Sequence, residues 1–371
     1  MKNIKITKAI CFILIIYTLL VPVSVAASAQ EYCDGYCPVT EETVPTLADN
    51  VKVGSRFFEL LFGDKGEKGD AEVSLVPGGG VFGVRIKQKY VTVTDATGVP
   101  ALKNGDIILS VNGHQVSSAS EVKSIVEQSG GSSVTIRALH AGSEIGVEVR
   151  PGYQDGEYRL GITLRDGAAG LGTVTFIDPK TGLFGGLGHG ICDADSGEVI
   201  SMESGEVCGV ILGGVHRGEC GKPGELCGIL TDRDLGDLSI NSECGVFGCL
   251  TDTSGLDDKA IPIGTREEVR EGAATIISTI KNGKSAEYKI EIYDIDRDST
   301  GSKSFRVRVT DETLKALTGG IVRGMSGSPI IQDGKLIGAV THVMVANPTE
   351  GYGIFIENML NAAENTVSKA A

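Results

Sequence analysis

The run Gly324-Met325-Ser326-Gly327-Ser328-Pro329, followed by the apolar pair Ile330-Ile331, has the make-up of a loop that presents a nucleophile. A serine attacks a carbonyl from a tight turn that exposes its Oγ. Glycines at 324 and 327 permit that turn and keep side chains away from the place where negative charge would develop. The hydroxyl also needs a base to take its proton. Of the five histidines, His189 stands in Leu187-Gly188-His189-Gly190-Ile191-Cys192-Asp193, a glycine-lined turn suited to reaching a neighbouring site. His216, in the charged stretch Val215-His216-Arg217-Gly218-Glu219, reads as a solvated loop residue. His342 follows Ala339-Val340-Thr341 on a strand and reads as lining a pocket or packing, while His114 and His140 lie in the first half. Ser326 is therefore the expected nucleophile and His189 the expected base. A thiol is the competing nucleophile, but no cysteine occupies a turn like that of Ser326.

The elements that position these groups read as mainly β. The 371 residues allow two domains and an appendage, and 52 glycines among Val/Ile/Thr-rich segments imply short strands and tight turns. The net charge of −14, without a Lys/Arg block, argues against a nucleic-acid partner. No cofactor and no metal site is expected: C-x-x-C is absent, and neither Cys33/Cys37 nor Cys244/Cys249 has a matching second pair.

At the N-terminus, Lys2, Lys5 and Lys8 precede an apolar run over 9–27, with Ala27-Ser28-Ala29 as a small-residue cleavage site. Residues 1–29 thus read as a signal peptide or a membrane anchor, either of which puts the rest outside the cytoplasm. Beyond Cys11 eight cysteines remain, and in an exported chain they read first as disulfides of undetermined pairing. Residues 30–70 read as a linker.

Residues 71–155 form the first module. Strands are expected around 84–86, 90–93, 106–111, 133–139 and 146–150, with a tight turn at Asn112-Gly113. A helix is expected over 120–129, capped by Ser118 or Ser120. The string Gly105-Asp106-Ile107-Ile108-Leu109-Ser110-Val111-Asn112-Gly113 resembles a PDZ domain. That resemblance makes Gly80, Val81, Phe82 and Gly83 the loop that holds a peptide C-terminus, with the peptide added as a strand. Pro151-Gly152 and the polar stretch after it would be the only hinge to the second module, 156–371.

The second module reads as a barrel or sandwich, and its serine loop resembles that of chymotrypsin-like proteases. In that resemblance the amides of Gly324 and Ser326 form the oxyanion hole, and the order His189 then Ser326 is the chymotrypsin order. The strings "GLGHGICDADSG", "VTDETLKALTGGIVRGMSGSPII" and "LIGAVTHVMVANPTEGYGIFIENML" add a closer likeness. With the export signal and the PDZ-like module, they resemble the stage IV sporulation protein B family of signalling serine endopeptidases. The resemblance implies a chymotrypsin-like double β-barrel peptidase, secreted across the forespore membrane into the intermembrane space. Its substrates would be itself and then a membrane-bound regulator that restrains the protease processing pro-sigma-K. It also makes Asp311 the residue that orients His189. The residues themselves leave two other readings of that part: Asp311 as a helix N-cap, with the cluster Asp232, Asp234 and Asp237 nearer the ordinary chymotrypsin position. The alternative function is a catalytically silent PDZ scaffold on a degenerate protease barrel.

Overall fold

The computed structural model describes residues 73–368 apart from 195, 257 and 258. The N-terminal signal or anchor, the linker, Cys33 and Cys37 lie outside the described residues. The chain is mainly β, and one 15-residue strand organises it. After β1 (Ser74–Pro77), strand β2 (Val81–Asp95) begins in a barrel and ends in the PDZ module. The module continues with β3 (Ile107–Val111), β4 (His114–Gln115), α1 (Ala119–Gln128), β5 (Val134–His140) and β6 (Ser143–Val149). A hairpin of β7 (Gly152–Gln154) and β8 (Glu157–Arg159) leads into β9 (Thr163–Ile177), which pairs antiparallel with β2 along most of its length.

Next come β10 (Leu183–Gly186), β11 (Met202–His216), β12 (Glu225–Ser242) and β13 (Gly245–Leu250). Their pairings, β9–β10, β10–β13, β13–β12, β12–β11 and β11–β2, return to β2–β9 and close a first ring of six antiparallel strands. The short β14 (Ile261–Pro262) pairs with β1 and leads to the second ring. That ring is a closed barrel of β15 (Gly272–Lys281), β16 (Lys284–Tyr293), β17 (Phe305–Val309), β18 (Pro329–Gln332), β19 (Lys335–Met344) and β20 (Asn347–Phe355). Helix α2 (Glu312–Thr318) links β17 to the serine turn, and α3 (Ile356–Ser368) follows β20.

Alternation of side chains gives each barrel its own interior. Phe82, Val84, Ile86, Phe184, Val207 and Leu238 fill the first, with Phe82 and Phe184 edge to face at 5.8 Å. Ile276, Ile290, Val307, Val322, Ile330 and Val340 are among those that fill the second. A third cluster, including Phe176, Phe247, Ala339, Ile354 and Met359, joins the two barrels through α3. Burying such a phenylalanine stabilises the fold by roughly 2–3 kcal/mol relative to leaving it exposed. Helix α1 starts where its sequence dictates: Ser118 Oγ accepts from Glu121 N at 3.2 Å and Glu121 returns the bond to Ser118 N, a reciprocal cap.

The PDZ-plus-double-barrel expectation holds, but the order of modules is corrected. Residues 81–88 belong to the first barrel, so the PDZ module is an insertion between two barrel strands, not a preceding bead. The reason is strand length: β2 and β9 each run on from one module into the other, and the gap expected between 86 and 90 is a register shift in their pairing, not an end of β2. The hinge expected at Pro151-Gly152 opens a small hairpin inside the insertion. Deleting 71–150 should therefore remove barrel strands and leave no cooperatively folding protein. Asp95 and Thr163 are register partners, so deleting 96–162 and joining them by Asn-Gly should leave a folded barrel pair. Thermal unfolding of the two deletions, read by circular dichroism, checks both.

Candidate active site

The serine turn is built by bonds that run in two directions. Its carbonyls face β9 of the first barrel: Thr173 Oγ1 donates to Gly324 O at 2.8 Å, Thr173 N to Ser326 O at 2.9 Å, and Thr175 Oγ1 to Gly327 O at 2.8 Å. Both threonines are fully buried. Gly327, at φ +94°, sits where a Cβ would lie 2.0 Å from Thr173 O and 2.5 Å from Leu187 N. No other residue fits there. Within the turn Met325 N, Gly327 N and Ser328 N donate to Val322 O, Val340 O and Met325 O. The amides of Gly324 and Ser326 have no acceptor among the described residues. Two unspent donors flanking the nucleophile are what an oxyanion hole requires.

The same threonine reaches the histidine. Leu187 N donates to Thr173 O, and Leu187 and Gly188, both at positive φ, turn the chain toward His189. His189 Nδ1 meets Gly190 O at 2.8 Å. A carbonyl only accepts, so Nδ1 carries the proton and Nε2 is left as the basic nitrogen. Burial pushes His189 below its usual range, against the pull of the Gly190 carbonyl toward the charged ring. The His342 ring lies 4.9 Å from that of His189. Its pKa is lowered to about 4 by burial first, then by His189 and Lys303. His342 is thus neutral at pH 7. Both rings line a cleft with Ala169, Gly170, Leu171 and Glu243. Ser326 Oγ donates to Thr341 O at 2.7 Å.

The structure does not bring Asp311 to His189. Asp311 caps α2: its Oδ1 accepts from Leu314 N at 3.0 Å and its Oδ2 from Lys289 N at 3.3 Å. Burial works against its charge, but these amides outweigh it and hold the carboxyl low. The orienting role expected of it passes to the Gly190 carbonyl. Nor does the acidic cluster serve: Asp232 pairs with Arg85, Asp234 accepts from Gly236 N, and Asp237 is raised by burial and then by Asp234. The loop expected to hold a peptide end is also corrected. Val81, Phe82 and Gly83 are barrel residues paired with Thr173, Gly172 and Leu171, and Phe82 is buried; Gly80 O accepts from Val174 N.

Of the other histidines, His140 bonds Asp106 at 2.6 Å and His216 bonds Glu225 at 3.1 Å. His216, Glu225 and Cys227 are the one group of three metal-ligand types close together among the described residues, at the loop end of the β11–β12 hairpin. The disulfide expectation is corrected for five cysteines: Cys192, Cys208, Cys220, Cys227 and Cys244 are free thiols. The long strand pairings hold their loops without staples. Thr173 and Thr175 were missed at the sequence level because buried threonines in a Val/Thr strand carry no local signal.

The description "SpoIVB peptidase S55" matches residues 156–360, more than half of the chain. The chain belongs to the SpoIVB peptidase S55 family. It is a serine endopeptidase with a PDZ domain, whose own family description matches 102–139. No curated protein matches the chain. Among solved structures, the PDZ domain of the SdrC-like protein (Lmo2051) from Listeria monocytogenes is 24% identical. The match covers 22% of this chain and 93% of that one, at a TM-score of 0.20. The HtrA-type protease AlgW with tripeptide is 13% identical, over 54% and 57% of the two chains, at 0.33. The active form of the Rv3671c protease from M. tuberculosis is 12% identical, over 53% and 73%, at 0.29.

Two predictions follow from this geometry. Thr173→Val keeps shape and removes the donor to Gly324 O, leaving that half-buried carbonyl without its partner. It should cost about 1–3 kcal/mol in urea unfolding and slow turnover by up to about 100-fold through a displaced serine turn. His342 is neutral in both states above its ordinary pKa of 6.5. As pH falls below that, the unfolded chain takes up the proton first, so stability is lost between pH 6.5 and about 4. His342→Gln should flatten that part of a stability–pH curve measured by urea midpoints.

Proposed function

We propose that Ser326 is the nucleophile and His189 its general base in this S55 peptidase. The observation that carries the reading is Thr173, which bonds the serine turn with its N–H and the segment leading to His189 with its carbonyl. The hydroxyl leaves Thr341 O, gives its proton to His189 Nε2 and attacks the scissile carbonyl carbon. The developing oxyanion is met by the amides of Gly324 and Ser326. Collapse breaks the C–N bond, with the His189 proton passing to the departing amine. A water then repeats the sequence on the acyl-enzyme, returning free Ser326.

The biological reading rests on family membership and on the N-terminal apolar run. The protein is secreted from the forespore into the intermembrane space and held at the membrane until processed. There it acts as a sporulation signal, cleaving itself and then a membrane-bound regulator of the pro-sigma-K processing protease. The protein partners are thus polypeptides met in extended form, and the PDZ module takes part in delivering them.

Ser326→Ala should abolish self-cleavage and His189→Ala should lower it by about 10⁴-fold or more with the fold intact. N-terminal mapping of products from the wild type and both variants checks this. Products that persist in Ser326→Ala would remove the assignment.

A further inference from the structure

The edge of β9 that carries Thr173 continues away from the active site with no described strand beside it, and Arg165 on it ion-pairs with Asp193. Backbone groups alternate in direction along a strand, so Leu171, Ala169 and Gly167 present their N–H and C=O on the side where Thr173 meets Ser326 and Leu187. Val174 turns the other way, donating to Gly80 O. From residue 163 to residue 173, strand pairing is with β2 alone, and no described strand lies on the opposite side.

At one end this edge enters the cleft: Ala169, Gly170 and Leu171 line it with His189 and His342. At the other end it passes helix α1, whose Ala119 N bonds Asp166 Oδ2 at 2.7 Å. There Ile162 and Leu164 share an apolar cluster with Val122 and Ile125. Between the ends, Gly167-Ala168-Ala169-Gly170-Leu171 has no proline and no charge, and residues 169 and 170 are exposed. Long edges are normally protected by such residues or by bulges, because an unprotected edge pairs with other chains. Here the bare stretch begins two residues from the one that bonds the nucleophile.

We propose that an extended stretch of a polypeptide substrate adds to this edge as an antiparallel strand, joining the catalytic cleft to the PDZ module. The proposal rests on Ser326 as nucleophile. Direction follows from topology. β9 runs from α1 toward Ser326, so an antiparallel substrate runs from Ser326 toward α1, and residues downstream of the cleaved bond lie on the edge. The stretch 163–171 spans about 30 Å at about 3.3 Å per residue. A substrate that uses all of it needs about eight or more unfolded residues after the scissile bond. The enzyme thereby selects segments that are already extended, and the PDZ groove holds the downstream end of the chain being cut.

Hydrogen exchange of the full Ser326→Ala protein, with and without reduced carboxymethylated casein as the unfolded polypeptide, tests the edge directly. The amides of Gly167, Ala169 and Leu171 should slow by at least about tenfold on binding, and unchanged exchange there would overturn the proposal. With the wild type, two peptides are compared that share the residues before a mapped casein cleavage site. The one with ten residues after the cut should exceed the one with two by at least about tenfold in kcat/KM; equal values would count against the edge. Ala169→Pro removes only the outward N–H and should lose that gain. If this variant does not fold, the exchange and peptide-length arms still decide. Labelling of wild-type Ser326 by a fluorophosphonate needs no strand pairing and so reports on the nucleophile separately. Failure to label would defeat the serine assignment, while the exchange measurement still decides the edge.

Discussion

The peptidase half depends on three hydrogen bonds from Thr173 and Thr175 to the carbonyls of Gly324, Ser326 and Gly327. Their donor residues are buried, so these donors would go unpaired if the barrels shifted, which makes the register between the barrels costly to change. By taking up the carbonyl side of the turn they leave the amide side facing away from β9. The close approach at Gly327 follows from the same packing, since any side chain there would collide with Thr173 O. Ser326, the unspent amides beside it and the segment carrying His189 are thus referred to one strand of the other barrel.

That strand also fixes the PDZ module. Because β2 and β9 each cross from barrel to insertion, the module is joined through two strands that pair on both sides of a register shift between Lys87 and Thr92. The position of the insertion makes PDZ and catalytic cleft two stations on one backbone edge.

The histidine pair shows how His189, the proposed base, is held without a carboxylate. The Gly190 carbonyl sets the tautomer of His189, and burial keeps both His189 and His342 neutral near pH 7. A second imidazolium beside the first would be repelled, so neutral His342 leaves His189 able to accept a proton. Asp311 is meanwhile fully engaged as a helix cap, its oxygens bonded to amides of its own helix and of β16.

What the sequence by itself determined was local. The Gly-x-Ser-Gly turn, the glycine-flanked His189, the cap at Ser118, the Asn112-Gly113 turn and the period-two strands were all legible. Each depends on backbone preferences within a few residues. The family resemblance, carried by strings in the C-terminal half, was legible for the same reason: those strings are contiguous. The tertiary structure alone decided that residues 81–88 complete a barrel whose other strands begin eighty or more residues later. It alone decided that Gly80, Val81, Phe82 and Gly83 are barrel backbone and not a peptide-binding loop. It also placed the Gly190 carbonyl, and not Asp311, on His189 Nδ1 and revealed Thr173 and Thr175 as the clamp. Those facts rest on pairings between segments as much as 150 residues apart in the chain, and a threonine bound for such a bond looks, in sequence, like any other strand residue.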